Sequence, residues 1–126
     1  MSAWPGPMVW LAVAAGAVIG AWARFALALW LNRAGQVVPW GTLAANLGGG
    51  LMIGAALALV DRRPEFAAWR PFFVTGFLGA LTTFSTFSAE SLALVHRGAF
   101  GSAMLHSAVH LLGSLAAAAI GWKLVR

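Results

Sequence analysis

Between Gly76 and Glu90 the chain reads Gly-Phe-Leu-Gly-Ala-Leu-Thr-Thr-Phe-Ser-Thr-Phe-Ser-Ala-Glu. Hydroxyls at Thr82, Thr83, Ser85, Thr86 and Ser88 surround Phe84 and Phe87. The stretch lies inside a segment otherwise apolar enough to cross a bilayer. A helix facing lipid has no use for five hydroxyls in seven residues. Backbone that leaves the helix at membrane depth survives only where protein or a wet cavity surrounds it. The chemistry on offer is ion binding. Half-helices that end inside a membrane present N–H groups to anions and carbonyls to cations.

Other polar residues sit in apolar surroundings. Arg24 lies well inside the first apolar run, where a charged side chain costs about 2.5–3.5 kcal/mol on insertion scales. It faces protein or water, or snorkels from a short helix end. Asn46 offers two amide donors, for a helix–helix hydrogen bond or an anion path. Glu90 is the only acidic residue within a span, placed to close a polar network or line a vestibule. Ser102, His106, His110 and Ser114 recur every four residues and so form one stripe on a helix. The histidines have the spacing of a helical metal pair, but no third ligand accompanies them in the sequence at metal-site spacing. A polar track is the reading the spacing favours. No nucleophile–base pair is visible, which argues against an enzyme.

The elements that position these groups follow from composition. Of 126 residues, 61% are hydrophobic and 9% charged, against roughly a quarter charged in a soluble domain. A span needs about 20 apolar residues. Four fit, at about 8–31, 42–60, 66–95 and 99–122, in one all-α transmembrane domain. The third is too long for one untilted span, and the Gly76–Ser88 break consumes the excess. Gly16 and Gly20 have a G-x-x-x-G spacing, and Gly48, Gly49, Gly50 and Gly54 thin the second helix, so backbones can approach closely or kink. Asp61 to Glu65 reads as a tight charged turn.

The absence of cysteine rules out disulfides and thiolate metal sites. The net charge of +5 sits at span ends and sets orientation, which speaks against a nucleic-acid partner. With the N-terminus inside, Arg62, Arg63, Arg70, Lys123 and Arg126 lie on the cytoplasmic side, and Arg33 and Arg97 on the other. Tryptophans near span ends form an interfacial belt. The first run lacks a basic lead and reads as a retained span rather than a signal peptide.

Three motifs coincide: G-A-x-x-R at Gly20, Ala21 and Arg24; P-x-G-T-L-x-x-N-x-x-G from Pro39 through Asn46 to Gly49; and G-F-x-G-x-x-T-T-F-S-T-F-S-x-E from Gly76 to Glu90. Together with four short spans they resemble the Fluc (CrcB) family of fluoride channels over nearly the whole chain. The resemblance implies passive fluoride export from a prokaryote across its plasma membrane (the inner one if Gram-negative). It implies a dimer of oppositely inserted subunits, with two pores and a structural sodium ion at its centre. Phe84 and Phe87 then line the pore, with Asn46 and the hydroxyls of Thr83, Ser85 and Thr86 around them. Carbonyls of Gly79 and Thr82 hold the sodium, Arg24 belongs to a vestibule or interface, and Glu90 stands by the pore.

The fourth span departs from the family. Its usual tyrosine and serines give way to His106 and His110, with Ser114 a turn beyond. This departure suggests a polar track retained by imidazole N–H donors, with conduction expected to depend on pH between about 5 and 8. The uneven charge leaves an oppositely oriented homologue as an alternative to a second copy. The rival reading is a small four-span proton-coupled multidrug exporter. That mechanism needs a carboxylate in the first span, where this chain has Arg24. A further alternative is a non-transporting assembly subunit, which would not need the Thr/Ser/Phe break. These readings separate on fluoride efflux from vesicles.

Overall fold

The computed structural model describes residues 4–126. Among the described residues, four helices are long and apolar enough to cross a membrane: α1 (Pro7–Leu31), α2 (Trp40–Arg62), α3 (Pro71–His96) and α4 (Phe100–Val125). Proline opens α1 and α3, where a missing N–H is no loss. Gly98, at φ +72°, makes the short turn from α3 to α4. The charged Asp61–Glu65 turn is shorter than expected. Asp61 and Arg62 complete α2, and Pro64–Trp69 winds into a 3₁₀ helix before α3 begins.

Packing runs in two pairs, α1 on the first half of α3 and α2 on α4. Both rest on glycine. A Cβ at Gly16 would strike the carbonyl of Phe72, and one at Gly20 that of Phe77. From the other side, a Cβ at Gly76 would come within 2.5 Å of the Val13 carbonyl. In the second pair, Gly54 faces the Ala118 carbonyl and Gly121 the Leu51 carbonyl. Backbones thus touch with no side chain between them, the contact that holds membrane helices together where lipid removes the hydrophobic drive. The second helix uses its glycines for approach, not for a kink: α2 is continuous.

The core is small. Ala45, Leu78 and Leu81 are buried, with Leu27, Ile53, Phe73 and Phe77 packed around them. Leu, Ile, Val, Phe and Trp cover the outside of α1 and α4, a surface suited to lipid.

The chain leaves helical geometry inside α3. Its first half, Pro71–Leu78, is π-helical and tightens into one α turn at Gly79–Leu81. Thr82 (φ −82°, ψ 151°) and Thr83 (φ −147°, ψ 119°) are extended, and helix resumes over Phe84–His96. The Thr83 hydroxyl caps the resumed helix by accepting from the Thr86 N–H at 3.1 Å. Removing such a cap costs about 1 kcal/mol. Thr83→Ala should lower the thermal midpoint of detergent-solubilised protein, while Thr83→Ser should hold it. Equal midpoints for both would mean that the cap carries no stability.

Candidate functional site

The interruption is clasped by one side chain. Asn46 lies two turns into α2, and its Oδ1 accepts from the Thr83 N–H at 2.8 Å. Its Nδ2 donates to the Thr83 carbonyl at 3.1 Å. The amide therefore meets both backbone groups of one extended residue, as a neighbouring strand would. Because a backbone N–H can only donate, Oδ1 and Nδ2 are fixed in place. Asn46 Nδ2 also lies 3.1 Å from His110 Nδ1; an amide nitrogen can only donate, so the ring nitrogen accepts and the His110 proton sits on Nε2.

Donor accounting at the break leaves carbonyls without their helical donors, those of Gly79 and Thr82 among them. In a continuous helix the Thr83 N–H would serve the Gly79 carbonyl, and the Thr86 N–H that of Thr82. Here the first goes to Asn46 and the second to the Thr83 hydroxyl. The Ala80 carbonyl is met by Arg24, whose Nε donates at 3.0 Å. Arg24 is half-buried and meets the carbonyl end of the first half of α3, where a cation is favoured.

Around the break, Thr83 Oγ1 donates to Thr86 Oγ1 at 3.1 Å and lies 3.3 Å from Ser85 Oγ. Ser88 donates to the Phe84 carbonyl, the ordinary back-bond of a helical hydroxyl. Phe84 stands outward, 80% exposed, its ring centroid 5.4 Å from that of Phe87. Phe87 turns inward against His106 and His110, at 5.3 and 5.0 Å. Asn46, Thr83, Phe84, Phe87, His110 and Ser114 share the lining of an open cleft of about 560 Å³. Gly79 and Thr82 lie on the same cleft.

Glu90 and His106 lie outside the cleft lining, one turn along. Thr42 donates to Glu90 Oε1 at 2.6 Å, and Asn32 Nδ2 donates to Thr42 Oγ1 at 3.2 Å. His106 Nε2 lies 3.3 Å from Glu90 Oε2. The Asn32–Thr42–Glu90 chain was not foreseen. Asn32 follows the last residue of α1, and its Oδ1 also accepts from the Gly41 N–H at 2.7 Å. Its signal was an asparagine beside a helix start ten residues on, too weak to stand alone.

A family model described as CrcB-like protein, Camphor Resistance (CrcB), matches residues 11–122. The chain belongs to the CrcB family. Three similar relatives are each named fluoride-specific ion channel FluC. The protein of Aromatoleum aromaticum is 56% identical across 89% of this chain and 86% of its own. Those of Bordetella avium and Bordetella petrii are 54% and 53% identical, each over 91% of this chain and about nine-tenths of their own length. The resemblance carried by the three motifs thus extends over residues 11–122.

Proposed function

We propose that this CrcB chain is a fluoride-selective channel giving passive fluoride export and protection from fluoride toxicity. It is a channel and not an enzyme, and nothing favours the multidrug exporter. The observation that carries the reading is the interruption at Thr82–Thr83, clasped by Asn46 beside Phe84 and Phe87, in a family whose relatives bear a fluoride-channel name.

Fluoride is small and holds water tightly, so a path must replace that water with donors and still release the ion. Asn46, Thr83, Ser85, Thr86, His110 and Ser114 supply such donors on or beside the cleft, and His106 extends the track. The Nδ2 hydrogen that Asn46 shares with His110 is the one an arriving anion can take over. Ring edges of Phe84 and Phe87 carry partial positive charge and add weak attraction. Arg24 and Glu90 set the field at the ends of the path.

The break lies at mid-membrane in this reading, and its exposed side meets a second copy inserted in the opposite orientation. Gly79 and Ser85 beside the unwound backbone are exposed on the separate chain, an arrangement lipid does not suit. The dimer lies in the prokaryotic plasma membrane, the inner one in a Gram-negative cell. A sodium ion fits its centre, because the Gly79 and Thr82 carbonyls lack helical donors and hard cations take oxygen ligands.

Vesicles reconstituted with the chain and loaded with fluoride and chloride should release fluoride to an electrode and keep chloride. Replacing sodium by N-methylglucamine on both sides should lower the flux and shift the protein from dimer to monomer in detergent. Vesicles that hold their fluoride would refute the assignment; sodium-independent flux from a stable dimer would refute the sodium site alone.

A further inference from the structure

We infer that Glu90, His106 and His110 form a binding site for a borderline divalent metal ion of the zinc type. In sequence the two histidines lacked a third ligand; the fold supplies Glu90 from α3, twenty residues away in the chain from His110. One ligand atom from each residue lies within 4.8 Å of the other two. Zinc bonds to N and O ligands of about 2.0–2.1 Å set a tetrahedral edge of about 3.3 Å. His106 Nε2 and Glu90 Oε2 stand 3.3 Å apart already.

Burial and bonding both point to a ligand. His106 is 0% exposed and His110 5%. His106 Nδ1 and His110 Nε2 are buried without a hydrogen-bond partner, and Glu90 Oε2 and His106 Nε2 have only each other, at 3.3 Å. A structural role alone would pair the two free nitrogens. The other carboxylate oxygen is held by Thr42 at 2.6 Å, the kind of outer contact that orients a metal-binding carboxylate. Phe87 closes one wall against both imidazoles. Two imidazoles and a carboxylate suit zinc, with a fourth position left for water or an anion.

The site is linked to Asn46. A metal on His110 Nδ1 takes the lone pair that Asn46 now donates to. A metal on Nε2 moves the proton to Nδ1, where it meets that same Asn46 donor. Either way the Asn46–His110 hydrogen bond ends, and the residue that clasps the break loses one partner.

The test is a titration of the purified full chain in detergent with Co2+ and then Zn2+, in fluoride-free buffer, so that no transport enters the readout. Co2+ should bind at a single site per chain with the visible absorption of a four- or five-coordinate ion, and Zn2+ should displace it. Glu90→Gln and, independently, His110→Gln should each weaken binding at least about 10-fold. His96→Gln removes the exposed third histidine and should leave binding unchanged. Absence of saturable Co2+ binding, or binding that both ligand variants retain, overturns the site. So does binding lost with His96→Gln, which would put the ion at the surface.

Discussion

Asn46→Leu should reduce fluoride efflux to the leak of protein-free vesicles. Leucine has the branched shape of asparagine but leaves the Thr83 N–H and carbonyl without the partners they have at 2.8 and 3.1 Å. Each orphaned polar group costs about 1–3 kcal/mol, and no lipid can replace the lost bonds. The extended pair Thr82–Thr83 then tends to rewind, which would close the cleft it lines. Asn46→Asp separates the two parts of the effect. It keeps an acceptor for the Thr83 N–H but removes the donor to the Thr83 carbonyl and to His110, and it sets a negative charge beside the anion path. Its efflux should fall nearly as far, while its thermal midpoint should drop less than that of Asn46→Leu. Near-normal flux from Asn46→Leu would remove Asn46 from the pore and the clasp together.

The second large effect belongs to the helix contacts. Gly54→Val should prevent recovery of monodisperse protein. A Cβ at Gly54 would collide with the Ala118 carbonyl, and a backbone atom cannot rotate away as a side chain can. Overpacking of this kind costs typically about 1–3 kcal/mol, and here relief requires separating α2 from α4 along their length. Gly101→Ala is the matched control, because nothing lies within 4 Å of a Cβ there. It should be neutral or slightly stabilising, by up to about 1 kcal/mol. Size-exclusion profiles after extraction check both. Comparable yields for Gly54→Val and wild type would mean that the α2–α4 contact yields more easily than its geometry implies.

Much of this architecture was legible in the residues. Four apolar runs with charged or Pro/Gly joints fix four helices, because hydrocarbon permits little else for so apolar a chain. The crowding of Thr and Ser around Phe84 and Phe87 marked the interruption, and the small residues at Gly16, Gly20 and Gly54 marked close approach. What stayed hidden depends on distance in space rather than along the chain. Glu90 and His106 are separated by the α3–α4 turn, and no periodicity within one helix reveals that their side chains converge. Arg24 showed only that it needed a partner; that the partner is the Ala80 carbonyl depends on how α1 lies on α3. The π-helical winding of Pro71–Leu78 was equally unreadable, since nothing in its apolar pattern distinguishes it from an ordinary α-helix. At Asn46 the spacing suggested an anion ligand or a helix contact, and the geometry places a backbone clasp first.

The glycine contacts bear on how such a protein can be controlled. Moving α2 along α4 by one residue would bring a Cβ to the place where Gly54 now admits the Ala118 carbonyl, and the same holds for Gly16 and Gly20 beneath α3. Walls seated this way have no neighbouring register to step into. Regulation by sliding these helices past one another would first have to part the backbone contacts that the glycines allow.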